Sequence, residues 1–439
     1  MRRLLLLLAF TLPVHAAARV TLLHFSDYHS HALPFYTEEG TRGGIARAIG
    51  YLARAKKDGA LVFSGGDMLN KGAPAWSDKY GCAEWPWLNG IVDAMAFGNH
   101  DPDYGADAFA ACRAAVRYPI LGANVTTPAG PLRPYVVLKK SGLRIGVFAV
   151  AGSDFPQLVK TPGFSFGDPV EAARRTVTAL REKEHVDAVI MIGHEHLEAD
   201  NRLAAAVPGI DVIFGTHSHL KRPFTQIPGT STWSISPSQY LTYISRIDLT
   251  ITDHRVTAVR GELVPVDEYL PADAVIGKKV ATMQVALEHD PQYQNLFVPI
   301  GHLDAPLTVE NLALRTLETM RATTGADAAL STVSSFRAPL PAGPLTRELL
   351  LGALPYENEI ITCTMSGAQL QRVLDFSASR KGTDSESFVS LASAVDPDRS
   401  YKVATTDYLA NIAYRDVFTC EKTKSGLRVR EELEKVLTR

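Results

Sequence analysis

The chain has 439 residues, 46% of them hydrophobic and 21% charged, with a formal net charge of -2. That length accommodates two or three domains with a large core in at least one, and the composition is ordinary for a folded soluble protein. The charge balance excludes a nucleic-acid coat and a general membrane-surface binder, both of which need a basic excess.

Arg2 and Arg3 precede a short apolar run, Leu4 to Leu12, which Pro13 breaks before the small residues around Ala16 and Ala18. This order predicts a secretory signal over residues 1–18 and a secreted or periplasmic protein. The run is too short to span a bilayer comfortably, no cysteine follows it, and the C-terminus has no hydrophobic tail, so no stable membrane anchor is expected.

From Arg19 onward, apolar strands alternate with amphipathic helices. RVTLLHF, ALVFSGGD, VDAMAFGNHD, LRIGVFAVAG, VDAVIMIGHEH and IDVIFGTHSH read as strands running into loops, and residues 84–99 as a helix followed by a short strand. GGIARAIGYLARAKK and PVEAARRTVTALREKEH read as covering helices. The pattern predicts an α/β fold with a largely parallel or mixed sheet covered on its faces. The character changes after about residue 268. A helix over about 272–289 leads to a second unit, about 293–439, with its own strands and helices. The expected division is 1–18 signal, 19–268 first domain, 269–292 linker helix and 293–439 second domain.

An even cysteine count in an oxidising compartment favours disulfides. Four cysteines permit three pairings. Cys82 with Cys112 and Cys363 with Cys420, each within one part of the chain, is the expected arrangement, with buried free thiols as the alternative.

Five fragments carry the chemistry: DYHSH, GGD, GNHDPD, GHEH and GTHSH. They contribute Asp27, His29, Asp67, Asn99, His194, His217 and His219, each just after a predicted strand, where open α/β sheets collect ligands. Imidazoles and carboxylates suit zinc, manganese or similar divalent ions. Gly65 and Gly66 let the backbone approach closely, and Asp67 can bridge two cations. Such ions would sit roughly 3.5–4 Å apart and convert a bridging water into a hydroxide nucleophile for attack on phosphorus. His100 is assigned to the leaving-group side, with Asp103 holding its imidazole. His24, His31 and His196 are expected to pack or face solvent, with support of a neighbouring ligand as the alternative, and Trp76, Trp85 and Trp87 to pack, with shaping of the substrate cleft as the alternative.

The order of these fragments resembles the calcineurin-like metallophosphoesterases. The rest of the chain resembles the secreted 5'-nucleotidase family, which includes UDP-sugar hydrolases and 2',3'-cyclic phosphodiesterases. The resemblance implies a four-layer sandwich with mixed sheets, joined by the linker helix to a smaller α/β substrate domain. It implies that Asp27, His29 and His219 hold one metal, that Asn99, His194 and His217 hold a second, and that Asp67 bridges them. Asn99 and His100 would also touch substrate, and His100 with Asp103 would form the catalytic dyad. In the second domain, Arg337 falls on a phosphate-contacting arginine, Tyr356 and Tyr408 on the aromatic clamp for a base, and Asn358 on a base-contacting asparagine. The family's GGDGY turn is replaced by NIAYR, with Tyr414 in the aspartate's place, and two further arginines are missing.

The expected function is hydrolysis of nucleoside 5'-monophosphates or related nucleotides to nucleoside and phosphate. The alternatives are the same chemistry on a cyclic nucleotide, UDP-sugar, other phosphoester or sulfur ester, or a non-catalytic metal- or nucleotide-binding protein. The expected partner is a small-molecule substrate and no nucleic-acid polymer, and the sequence leaves the oligomeric state open.

Overall fold

The computed structural model describes residues 17–72 and 74–438. The signal segment expected at 1–18 falls outside the described residues up to residue 16.

Two six-stranded mixed sheets build the first part. One runs Arg255–Pro265, Tyr243–Thr252, Ala18–Phe25, Leu61–Ser64, Ala94–Ala96, Ile120–Leu121, and its last four strands are parallel. The other runs Lys221–Gln226, Trp233–Pro237, Val212–Phe214, Ala188–Met191, Leu143–Phe148, Tyr135–Lys140, with four parallel strands at its centre. Central strands such as Leu61–Ser64 and Ala188–Met191 are buried at every residue. That is why they read as continuous apolar runs rather than as alternation.

The inner faces meet in a core that includes Leu22, Phe63, Ile145, Val147, Ile190, Phe214 and Ile247. Helix Ile45–Lys57 covers the outer face of the first sheet, burying Ile45, Ala48, Ile49 and Leu52 at helical spacing. Helices Pro169–Thr178 and Leu197–Ala206 cover the second through Ala173, Val177 and Leu203. The result is the expected four layers: helix, sheet, sheet, helix. One expectation fails. Between residues 84 and 93 there is only a single 3-10 turn, Trp85–Leu88, which ends as Gly90 turns the chain at φ 82°.

Helix Ala274–Glu288 follows, its N-terminus capped by Asp273, whose carboxylate accepts from the Val275 and Ile276 amides at 3.0 Å. Ile276, Val280 and Leu287 pack on the core of the first part. The C-terminal part has a five-stranded sheet, ordered Ser387–Leu391, Ala328–Thr332, Ser400–Thr406, Glu359–Ser366, Thr423–Arg428. Helices Val309–Thr324, Gly367–Ser379 and Val429–Leu437 pack on it. Disulfides join Cys82 to Cys112 and Cys363 to Cys420. Trp85 is fully buried and Trp76 nearly so. Among the described residues, no helix is long and apolar enough to cross a membrane.

The two parts meet at a seam. One apolar cavity of about 210 Å³ lies there, lined by Trp76, Leu287, Phe297, Pro339, Leu349 and the carboxyl of Glu348. Glu348 Oε1 accepts from the Ala75 amide at 3.3 Å, and Oε2 has no hydrogen-bond partner among the described residues. Burial pushes its pKa up to about 7, opposed by the Ala75 amide and helped by Asp78. The carboxyl therefore ionises later in the fold than in the unfolded chain, so stability falls as pH rises from about 4.5 through 7. Glu348→Gln is expected to raise stability by about 1–3 kcal/mol above pH 7 and to change nothing near pH 4. Melting curves at the two pH values check it.

Candidate metal centre and substrate cleft

Every candidate ligand sits in a loop that leaves the C-terminal end of a parallel strand. Asp27 and His29 follow Ala18–Phe25, Asp67 follows Leu61–Ser64, and Asn99 follows Ala94–Ala96. His194 follows Ala188–Met191, and His217 and His219 follow Val212–Phe214. The two sheets thus aim their strand ends at one place.

The loops are tied before any side chain is considered. The amides of Asp27, His29 and Ser30 donate to the carbonyls of Gly66, Asp67 and Met68 at 3.0–3.1 Å. The His100 amide donates to Asp67 Oδ1 at 2.8 Å, and the His217 amide reaches the Asp27 carboxylate at 3.2 Å. Asp27, His29, Asp67, His217 and His219 all have φ between 48° and 57°. Non-glycine residues reach this left-handed region at a cost, and such strain concentrates at functional sites.

Three groups of side-chain atoms result among the described residues, each within 4.8 Å: Asp27, His29, Asp67 and His219; Asp67, His194 and His217; and Asp154, His196 and His217. The first two are made of candidate ligands alone, and Asp67 belongs to both. His219 Nε2 lies 3.2 Å from Asp27 Oδ1, and His194 Nε2 lies 3.1 Å from Asp67 Oδ2. His29 Nδ1 is 2.9 Å from the Leu69 carbonyl and His194 Nδ1 is 2.7 Å from the Gly65 carbonyl. A carbonyl only accepts, so these contacts place the Nδ1 protons and leave both Nε2 atoms facing inward. His29 Nε2 is 3.1 Å from His219 Nε2.

The set fits divalent cations on this geometry and on two further observations. Asn99 Oδ1 is buried with no hydrogen-bond partner among the described residues. Burial pushes His29 down to about 3, against the pull of Asp67, so it stays a neutral donor. At His194 burial works against the imidazolium, but Asp67 and Asp27 outweigh it and raise the pKa to about 9. The same negative charge would attract a metal ion.

Beside this cluster opens a cleft of about 180 Å³ at the seam, lined from the first part by Asn99, His100 and His196 and from the C-terminal part by Arg337, Tyr356, Asn358, Asp384 and Tyr408. His100 Nδ1 is 2.8 Å from Asp103 Oδ2, which also accepts from the Lys71 amide. Burial disfavours the His100 imidazolium, but Asp67 and Asp103 prevail and raise its pKa to about 10. Arg337 donates to the Tyr356 hydroxyl and lies over its ring.

Sequence reasoning missed Asp154 and Asp384. His196 packs edge-on against the candidate ligand His217 and keeps about 33% of its side chain exposed. Its Nε2 lies 3.0 Å from Asp154 and its Nδ1 2.6 Å from Asp384, an imidazole held between two carboxylates at the cleft. Burial opposes its charge, but the two aspartates raise its pKa well above the usual value. Asp154 also reaches His217 Nε2 at 3.3 Å. Its position after the strand Leu143–Phe148 was the available signal; Asp384 offered none. Tyr414 is buried in the C-terminal core and donates to the Ser385 carbonyl, away from the cleft. His31 stacks on Tyr240 and His24 on Phe214.

Comparison with known proteins fits this architecture. Residues 20–221 match the model of the calcineurin-like phosphoesterases, and residues 308–393 match the 5'-nucleotidase C-terminal domain. The chain thus resembles the 5'-nucleotidases in both of its parts. It is a metal-dependent phosphoester hydrolase, and the family implies divalent metal ions. Its relatives include the protein UshA of Yersinia enterocolitica, 23% identical over 89% of this chain and 85% of the relative. Another is a 5'-nucleotidase of Vibrio cholerae, 24% identical over 82% of this chain and 75% of the relative. Two solved structures from Thermus thermophilus share the fold. A 5'-nucleotidase precursor superposes with a TM-score of 0.73 at 21% identity over 96% of both chains. The sulfate thiohydrolase SoxB gives 0.72 at 20% identity, covering 95% of this chain and 94% of that one.

Gly98 gives the cluster its tightest constraint. A Cβ there would lie 2.2 Å from both the amide nitrogen and Oδ1 of Asp67. Gly98→Ala is expected to push Asp67 aside and weaken divalent-metal binding by about 10–100-fold. Metal titration monitored by thermal shift measures it.

Proposed function

We propose that the chain hydrolyses nucleoside 5'-monophosphates to nucleoside and phosphate with two divalent cations, zinc, manganese or similar, and that it works outside the cytoplasm. The observation that carries the dinuclear reading is that Asp67 is common to both ligand groups. Asp27, His29 and His219 would hold one ion, and Asn99, His194 and His217 the other. When bound, the ions supply Lewis-acid activation of water and of the phosphoryl oxygens. His100, its Nδ1 held 2.8 Å from Asp103 Oδ2, is placed to donate to the leaving oxygen. Asn99 and Arg337 would hold the phosphate.

The nucleotide reading rests on Tyr356, Asn358 and Tyr408, which line the same cleft as His100 and present π-faces and an amide to a base. We assign residues 19–268 to the catalytic domain, 269–292 to the linker and 293–439 to the substrate domain. Export is inferred from the order of charge, apolar run and small residues at 1–18 and is supported by the two cysteine pairs. Cell fractionation tests it.

Asp67→Ala is expected to lower phosphate release from AMP by about 10³-fold or more and to cut the bound metal below two ions per chain, read by elemental analysis. AMP turnover that survives this change refutes the proposal. His100→Ala is expected to lower kcat by about 10²–10⁴-fold with the metal content intact.

A second reading keeps the metal chemistry and changes the substrate to another phosphoester or a sulfur ester. It is favoured by the NIAYR segment, which stands in place of GGDGY and brings no carboxylate to the cleft. Turnover of p-nitrophenyl phosphate or a cyclic diester without turnover of AMP decides for it.

A further inference from the structure

Arg337 reaches the cleft from the C-terminal part, but its orientation is set from the other side of the seam. Gln239 Nε2 donates to the Arg337 carbonyl at 2.9 Å, and Arg337 Nη1 donates to Gln239 Oε1 at 3.2 Å. One amide side chain therefore grips both the backbone and the guanidinium of the same residue.

The loop that carries Gln239 hangs from the candidate metal centre. Ser238 Oγ donates to the His219 carbonyl at 3.1 Å, and the Tyr240 amide donates to the Asp27 carbonyl at 2.8 Å. Thr242 closes the loop, its amide and hydroxyl both donating to the Gln239 carbonyl at 3.0 and 2.7 Å. Ser238, Tyr240 and Leu241 have φ of 65°, 59° and 58°. Three non-glycine residues in the left-handed region within four positions form a strained segment that its surroundings must hold in place. Tyr240 is buried and stacked on His31 at 3.5 Å between ring centroids, which supplies that support.

We infer that Gln239 is a positioning residue: it registers the Arg337 guanidinium against the metal centre, so that a phosphate held by the centre meets the arginine at a fixed distance and angle. This rests on the phosphate-binding role proposed for Arg337. The physical reason is the planar fork of arginine, whose value depends on aim. Arg337 Nε has no hydrogen-bond partner among the described residues, and Nη2 goes to Tyr356, so Gln239 is the contact that links the group to the first part. The expected role is in binding rather than in chemistry, because among the described residues the Gln239 side chain hydrogen-bonds to Arg337 and to no candidate ligand.

The test is a double-mutant cycle on the full chain, with AMP and p-nitrophenyl phosphate as substrates. Gln239→Ala is expected to raise KM about tenfold, with kcat within about twofold and metal content unchanged. Gln239→Met keeps the volume, removes both hydrogen bonds, and is expected to do the same. Arg337→Ala is expected to raise KM at least as much, and the double variant no further than Arg337→Ala alone, because the glutamine acts through the arginine. Effects that multiply, or a Gln239→Met enzyme with unchanged KM, overturn the inference while leaving the phosphate contact standing. If Arg337→Ala itself leaves KM unchanged, the phosphate contact fails first and the role of Gln239 fails with it.

Discussion

Two buried carboxyl groups, Asp27 and Asp67, stand within reach of the same imidazoles, and neither has solvent to share its charge. Buried charge must be paired or must hold a cation. Much of the first part follows from that constraint. Asp67 is drawn well below the usual carboxylate range: burial pushes it up, but His194, His100 and His29 outweigh burial. His194 and His100 are drawn upward by the same pairing, while His29 is left neutral.

Holding these groups together requires backbone that local preference opposes. Five candidate ligands adopt left-handed conformations, and Gly98 lies so close to Asp67 that no side chain fits there. Asp101 provides part of what offsets this. It is buried, and its two oxygens accept from the Met68 and Gly98 amides at 2.9 and 2.8 Å, stitching the Asp67 loop to the Asn99 loop. Through these two amides Asp101 fixes where Asp67 and Asn99 stand relative to each other. Such outer groups orient ligands as surely as the ligands orient a metal.

The layers and the seven converging residues were legible because each depends on a local pattern. Strands buried on both faces read as apolar runs, and His and Asp residues stand out where those runs stop. The cleft wall was legible only through resemblance, since Arg337, Tyr356, Asn358 and Tyr408 follow no spacing. Asp384 and Gln239 were invisible for a related reason, and Asp154 offered only its place after a strand. Each is one polar residue in a loop, and its significance comes from contacts 42 to 188 positions away in the chain: Asp154 and Asp384 on His196, Gln239 on Arg337. His196 was left between packing, solvent and support of a ligand, because only the opposite wall, through Asp384, shows what it faces. Tyr414 marks the opposite limit. Its position in the chain suggested the cleft, but the π-helical turn Leu409–Ala413 carries it into the core.

The seam divides the chemistry unevenly, and charge explains the division. The C-terminal part brings one guanidinium to the cleft, and that guanidinium is already shared with Tyr356 and Gln239. It cannot neutralise a phosphate dianion alone. On the dinuclear reading the first part carries four positive charges on two ions plus His100, so further arginines are dispensable at the phosphate end. The aromatic pair Tyr356 and Tyr408 is then left to recognise the rest of the molecule, through stacking that no charge in the cleft can replace. Phosphate affinity should therefore follow the metal content, and choice among phosphate-bearing substrates should follow the tyrosines.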